Sequence, residues 1–427
     1  MIVNNADNSS LISASEFAEW MSYIGCFEPT PTLAIATSGG ADSMALLLLA
    51  KNWIGSKNGK IISLTINHNL RPEATDEALQ VGRWCKEYNV EHHTLCWEHN
   101  SPQISAIQEN ARNARYKLMT DWCVKNNILH LLTAHHLDDQ AETLFFRLAR
   151  GSGLEGLSAM SAQTIISGVR LLRPLLQAPK SRLIATLEAN KQPWLEDPSN
   201  QNTAYSRIYI RKELAKNSNE IVIKQTANEI ANKLGDFRNI LANKLVSQLT
   251  KAVDIYSEGY GLINLHEFNS LDKGISIKVL GALIRTISGS QHPPRSEKLI
   301  YLNQLIHTHQ LHAKRSLSGL LFEMLKEQQI LVYRETRSIE KPIFIQPNIP
   351  VLWDKRFLLE ITSDKTSLPH IKLRALGSDG LTELKKNSRH LLNNMPPERV
   401  IRTFPSIWIL EELVSVPHIK YMNKNNT

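Results

Sequence analysis

Three clusters of residues in the first half of the chain have the types and spacing that chemistry needs. The first is Ser38-Gly39-Gly40-Ala41-Asp42-Ser43, which follows the apolar run Leu33 to Ala36 and leads into the apolar segment Met44 to Ala50. A strand, a tight Ser/Gly loop and a helix start in that order make an anion site. Glycine lets the backbone take φ > 0 and turn its N–H groups inward, and a helix N-terminus adds its positive dipole end. Gly39 and Gly40 are both expected to use that freedom. The second cluster is His135-His136-Leu137-Asp138-Asp139-Gln140-Ala141-Glu142. Asp139 and Glu142 stand three residues apart at a helix start, so they share a face and can converge on a cationic ligand. A helix dipole attracts acids and accounts for Asp138 and Asp139, but it leaves the histidine pair unexplained. The third cluster is basic. Arg112 and Arg115 share a helical face and can hold phosphate or RNA backbone, although a solvated face accounts for them equally well. Arg207 and Arg211 follow the turn Asp197-Pro198-Ser199-Asn200, and Arg147 and Arg150 precede Gly151.

The chemistry is narrowed by what these clusters lack. No Lys follows the second glycine of the loop, which disfavours an NTPase that moves a γ-phosphate. The His/Asp run has no further ligands at transition-metal spacing, so magnesium is the expected cation. Cys26, Cys85, Cys96 and Cys123 show no CxxC or CxxH spacing and are expected to be buried free thiols.

The elements that must position these clusters can be read from periodicity. Ser13 to Ile24 places Phe17, Trp20, Met21 and Ile24 on one helical face. Strands are expected at Leu33 to Ala36, Lys60 to His68, Val90 to Trp97 and Ile128 to Ala134, the second of them buried, with helices between them beginning near Asp42, over Glu73 to Asn89 and over Ile107 to Asn126. Alternating strands and helices predict an α/β fold with a doubly wound parallel sheet, whose ligands sit beyond the carboxyl ends of the strands. The second strand exit carries His68-Asn69-Leu70-Arg71 and the last carries the His/Asp run.

At 427 residues, 42% hydrophobic and 21% charged, the chain has globular composition and the length of two or three domains. Its formal charge of +8 is consistent with a polyanionic partner, and also with an ordinary basic protein. The start Met1 to Asp7 lacks a basic then apolar pattern and no run is long enough to span a membrane, so a cytoplasmic protein is expected. Three parts are expected: residues 1–216 as the α/β domain, 217–339 as a helix-rich domain with amphipathic stretches Ile221 to Leu245 and Ile275 to Ile306, and 340–427 as a small α+β domain. In the last part Glu340 to Pro350 reads as a linker, Val351 to Ile361 and Ile371 to Leu376 as strands, and Lys385 to His390 as a basic helix.

The loop SGGADS resembles the pyrophosphate loop of the N-type ATP pyrophosphatases, which cut ATP between the α and β phosphates. Together with NHNLR at 67 to 71, ENARNARY at 109 to 116, TAHHLDDQAET at 133 to 143, RLARGSGLEGL at 147 to 157, RPLL at 173 to 176 and DPSN…SRIYIR at 197 to 211, it resembles the bacterial tRNA(Ile)-lysidine synthetases over the whole first half. Asn67, Asn69 and Ile208 depart from the family's usual residues. The resemblance implies ATP and magnesium as cofactors, and tRNA(Ile) with a CAU anticodon and free lysine as partners. A homodimer is a further expectation. The wobble cytidine would first be adenylated at its C2 carbonyl oxygen with release of pyrophosphate, and the lysine ε-amine would then displace AMP. By the same match Ser38, Gly39, Gly40, Ala41, Asp42, Ser43 and His68 would bind the nucleotide, with Asp42 near the magnesium. Asp139 and Glu142 would orient the lysine amine, and Arg112, Arg115 and Arg207 would hold phosphate or tRNA. The helix-rich and C-terminal parts would grip tRNA.

Three other functions compete with this one. A cytidine-thiolating enzyme of the same superfamily carries CxxC pairs, which this chain lacks. A synthetase making GMP or NAD fits the NHNLR and TAHHLDDQAET runs less well, and a non-catalytic tRNA-binding module has no use for the intact loop.

Overall fold

The computed structural model describes residues 10–67, 73–97, 107–196, 206–290, 292–325, 328–362, 371–393 and 395–423. They form two compact units, Met1–Asn239 and Ile240–Thr427.

The first unit is built on a six-stranded sheet. Its strands are β1 (Thr32–Ala36), β2 (Lys60–Asn67), β3 (Glu91–Cys96), β4 (His130–Leu132), β5 (Gln163–Ile166) and β6 (Val169–Leu172). Their order is β3-β2-β1-β4-β6-β5, and all neighbours run parallel except the β5–β6 pair. The helices are α1 (Ala14–Ile24), α2 (Ala41–Gly55), α3 (Glu73–Glu87), α4 (Ile107–Lys125), α5 (Leu137–Ala149), the short α6 (Leu154–Leu157), α7 (Lys180–Ala189), α8 (Ser206–Ala215) and the long α9 (Glu220–Ala252).

Strand alternation divides the core between the two faces of the sheet. Leu33 and Ile35 of β1 point into a core shared with Phe17 and Met21 of α1, the buried run of α2, Trp84 of α3 and Leu183 of α7. Ala34, with Ile62 and Leu64 of β2, points the other way, onto Met119 and Cys123 of α4. Helices on both faces make the sheet doubly wound. Helix α2 is buried around most of its circumference, from Ala41 and Ser43 through Ala50 to Trp53 and Ile54, which explains why its sequence is apolar without an amphipathic period.

The chain leaves β2 on one side of β1 and β4 on the other, so the order reverses between β1 and β4. The loops after those two strands flank a crevice at this switch point. One carries Ser38 to Ser43 and the other carries His135 to Asp139. The first unit extends beyond residue 216, because α9 supplies Ala227 to a small apolar cluster with Ala141 and Leu144 of α5.

Among its described residues the second unit holds two five-stranded antiparallel sheets and a two-stranded one. The first contains β7 (Val253–Tyr256), β8 (Tyr260–Asn264), β9 (Arg315–Leu317), β10 (Leu320–Met324) and β11 (Gln329–Arg334), in the order β7-β8-β11-β10-β9. The helices α10 (Leu265–Asn269), α11 (Lys273–Ser288) and α12 (Ser296–His307) lie within the same stretch, and Val279, Leu283 and Leu302 share a core with Phe322 and Val332 of the sheet. The helical stretches are where periodicity puts them, but the five strands are an addition to the expected helix-rich region. Each spans only three to six residues, too short for alternation to stand out, and their pairing is decided across the chain.

The other sheet contains β12 (Ile343–Phe344), β15 (Ile371–Ala375), β16 (Pro405–Ile409), β17 (Glu412–Val416) and β18 (Tyr421–Met422), beside the hairpin β13 (Val351–Trp353) with β14 (Phe357–Leu359). The expected linker Glu340 to Pro350 thus supplies an edge strand, with Ile343 opposite Leu373. Helix α13 (Gly377–Asn387) packs Leu381 and Leu384 on this sheet and leaves Lys385 and Lys386 exposed.

Candidate active site

The loop after β1 is held by hydrogen bonds of its own residues. Ser43 Oγ donates to the Gly40 carbonyl at 2.9 Å and accepts from the Ser38 N–H at 3.1 Å. The Gly39 carbonyl accepts from the Leu195 N–H at 2.9 Å. Only Gly39 takes the left-handed backbone, with φ +85. Gly40 is the N-cap of α2 at φ −69 and ψ 159, which corrects the expectation that both glycines use positive φ. Helix α2 needs its first residues extended and then helical, and one reversal at Gly39 is enough to aim it.

A methyl group built on Gly39 meets Leu195 Cδ1 at 2.7 Å and Val81 Cγ2 at 2.9 Å, whereas on Gly40 the nearest atom is Ser38 Oγ at 3.7 Å. Gly39→Ala is therefore expected to destabilise the protein by at least about 1–2 kcal/mol from its backbone conformation, with the clash added. Gly40→Ala should unfold close to the parent. Urea midpoints of the two variants check this, and equal losses would contradict it.

Above the loop lies a cavity of about 590 Å³, within the range of small-molecule sites. Ser38, Gly40, Asp42 and Ser43 line it from the loop, Arg115 from α4, and Thr133, Ala134 and His135 from the end of β4. Gly39, Ala41, Asp139 and Glu142 are not among its lining residues. Ala41 is part of the core at 8% exposure, so any contribution it makes to a ligand comes from its backbone. The first N–H groups of α2 have no acceptor within the helix and carry its positive end. Arg115 also stands over the Tyr116 ring at 5.5 Å. The backbone of Arg112 lies in α4 and that of Arg207 in α8, while their side chains, and the whole of His68, lie outside the described residues.

The acidic run after β4 is a network around His136, which is buried at 3% exposure. Its ring nitrogens lie 3.5 Å from Asp42, 3.4 Å from Asp138 and 3.7 Å from Asp139. Burial opposes a charge on this ring, yet the three carboxylates outweigh it and raise the pKa to about 10. The folded value lies above the ordinary one. The imidazolium's contribution to stability is therefore fully present below about pH 6.5 and is lost only as the pH rises through about 10.

His136 holds Asp42 below the ordinary carboxylate range against the effect of burial, with Lys180 assisting at 3.8 Å. Asp138 is held lower still: burial again opposes, while His136, the Lys224 ammonium and the Lys180 N–H at 3.0 Å all favour its charge. Lys224 also pairs with Glu220 at 2.6 Å. Asp139 accepts from the His136 N–H at 3.1 Å, capping α5.

Glu142 is buried and bound by two hydrogen bonds from Arg211, Nε to Oε1 at 2.6 Å and a terminal nitrogen to Oε2 at 3.1 Å. Asp139 and Glu142 thus face different partners, a histidine backbone and a guanidinium. The bond to Glu142 raises the Arg211 pKa, with Asp139 and Asp138 adding to it. Lys180, Lys224 and the pairing of Arg211 were not legible in the sequence, since they sit 42, 86 and 69 residues from their acids and no local spacing links them.

Among the described residues no group of three His, Cys, Asp or Glu side chains is placed to hold a metal ion. A magnesium ion carried on phosphates needs only one or two carboxylates from the protein. Asp42 fits that need: among the described residues its buried Oδ1 has no hydrogen-bond partner, while Oδ2 faces His136 and Lys180. All four cysteines are free; Cys85 and Cys123 are buried as expected, but Cys26 and Cys96 are exposed. Among the described residues no helix is long and apolar enough to cross a membrane.

The chain is similar to known proteins over most of its length. A family model described as a PP-loop domain matches residues 12–218. The chain is 33% identical over 417 residues to a protein named tRNA(Ile)-lysidine synthase from Orientia tsutsugamushi (strain Boryong), covering 95% of this chain and 93% of that one. Proteins of the same name from Rickettsia akari (strain Hartford) and Wolbachia pipientis wMel are each 32% identical, over 404 and 405 residues, covering 92% of this chain and 90% of theirs.

Proposed function

The chain belongs to the tRNA(Ile)-lysidine synthase family, and on that footing we propose that it joins free lysine to C2 of the wobble cytidine of tRNA(Ile) with a CAU anticodon. ATP first adenylates the C2 carbonyl oxygen and pyrophosphate leaves. The lysine ε-amine then attacks C2 and AMP leaves, so that each lysidine costs one ATP and yields one AMP and one pyrophosphate. A pyrimidine oxygen is a poor leaving group until it carries AMP, and the expelled pyrophosphate needs a prepared cradle. The observation that carries this reading is the cavity at the switch point, where the loop residues Ser38, Gly40, Asp42 and Ser43 face Arg115 and His135.

In this reading the N–H groups at the start of α2 and the Arg115 guanidinium neutralise the charge that collects on the departing pyrophosphate. Asp42 would hold magnesium through Oδ1, and the ion would supply charge neutralisation on the phosphates. Arg112 and Arg207 contact phosphate or tRNA, and His68 the nucleotide. Asp139 and Glu142 orient the lysine amine by charge-assisted hydrogen bonds, with His136 and Arg211 fixing where the two carboxylates sit. The parts after residue 217, through 339 and from 340 to 427, grip the tRNA, and the enzyme works as a cytoplasmic homodimer.

The test uses the full chain with ATP, lysine and tRNA(Ile) bearing the CAU anticodon. We expect AMP and pyrophosphate in equal amounts, and a wobble nucleoside whose mass has gained lysine less one water. Pyrophosphate released without tRNA, or a nucleoside of unchanged mass, would overturn the assignment.

A further inference from the structure

We propose that Thr65 is a positioning residue for the phosphate-binding loop, and that His92 holds Thr65 in the orientation this requires. The proposal rests on the reading of that loop as a pyrophosphate cradle and adds residues outside it.

The loop begins at the peptide joining Thr37 to Ser38. The N–H of that peptide donates to Ser43 Oγ at 3.1 Å, and its carbonyl accepts from Thr65 Oγ1 at 2.7 Å. Both ends of one peptide plane are therefore pinned, one from within the loop and one from β2. Thr37 is tied at its other groups too: its N–H donates to the Leu64 carbonyl at 2.9 Å, and its hydroxyl, which accepts from Ser63 at 2.9 Å, donates to the Ile35 carbonyl at 3.2 Å. Rotation of the Thr37–Ser38 plane would swing the Ser38 N–H and the cavity wall it belongs to.

Thr65 is 5% exposed and lines the cavity itself. Its hydroxyl has a single proton, which the Thr37 carbonyl takes. The His92 Nε2 at 2.9 Å from the same oxygen must therefore be the donor, which requires the tautomer with hydrogen on Nε2. Gly82 of α3 makes room for the ring, since a methyl group there would stand 3.1 Å from Nδ1. Burial, with His93 nearby, lowers the His92 pKa, in keeping with a neutral ring. The sequence shows no sign of this chain: Ser63 and Thr65 read only as polar interruptions of a buried strand.

The experiment measures binding of inorganic pyrophosphate to the full-length protein by calorimetry, alongside the KM for ATP and kcat in tRNA-dependent AMP formation and the melting temperature. Thr65→Val keeps the shape and removes the hydroxyl. We expect it to weaken pyrophosphate binding and raise the KM for ATP by roughly 5- to 150-fold, the range for a buried polar group left unpaired. Thr65→Ser should restore both to near the parent. His92→Phe should weaken binding on its own, yet add nothing in the Thr65→Val background, because the histidine acts only through the hydroxyl. Parent-like binding in Thr65→Val, equal losses in Thr65→Ser, additive effects of the two sites, or a change in melting temperature alone would each overturn the proposal. A parent that binds no pyrophosphate overturns the cradle and this inference together, whereas a parent that binds it while only the variants behave otherwise leaves the cradle standing.

Discussion

Asp42→Asn is expected to lower the rate of tRNA adenylation by about 100- to 1000-fold, the loss seen when one preorganised electrostatic group is removed from a reacting site, while tRNA affinity stays near that of the parent. Asparagine keeps the size of the side chain and removes its charge. Oδ2 serves His136 and Lys180, and Oδ1 is buried with no partner among the described residues. The sign of the effect on pyrophosphate binding separates two roles. With a cation between them, the Asp42 carboxylate attracts the phosphates through the ion, and asparagine weakens binding. Without one, two anions repel in a partly dry site, and asparagine tightens it. Binding measured with and without magnesium decides between these, and we expect weakening that appears only when magnesium is present. Adenylation at the parent rate in single turnover would remove Asp42 from the reaction.

The second large effect is expected at the acids of α5. Glu142→Gln and Asp139→Asn should each raise the lysine concentration needed by roughly 5- to 150-fold and slow the second step, so that adenylated tRNA accumulates. The structure adds a control. Glu142 is held by both of its oxygens on Arg211, so Glu142→Gln also loosens that guanidinium. Arg211→Met removes the pairing and leaves the carboxylate, which is then left buried without its countercharge. If Glu142 meets the lysine directly, Arg211→Met retains most of the lysine response that Glu142→Gln loses. If the glutamate serves only to anchor Arg211, the two variants behave alike. Single-turnover assays that separate adenylated from lysine-bearing tRNA provide the measurement. Failure of both acid variants already at adenylation would shift the pair to the phosphate side of the site.

The backbone frame of the candidate site is legible in the sequence, because its signals are local. A strand, a loop and a helix start at Leu33 to Ala50 are specified by residues within one helical turn of each other. An apolar run, a pair of small residues with freedom at φ, and an unbroken helix former leave the backbone few alternatives. The alternation of strands with helices up to residue 134 was legible for the same reason, and it fixes a parallel sheet, since parallel neighbours need a crossover.

What the sequence left open are contacts whose partners lie far along the chain. Position 39 rather than 40 takes the reversed backbone because Leu195 and Val81 pack against it and the Leu195 N–H bonds its carbonyl. Spacing put Asp139 and Glu142 on one helical face, but Arg211 on α8 and the His136 N–H decide what each carboxylate faces. Lys224 on α9 closes on Asp138, and the five short strands of residues 253–334 find their order only in the assembled sheet. Local backbone preference acts over a few residues. The orientation of a charge depends on the nearest countercharge in space, and only the tertiary structure brings that group into place.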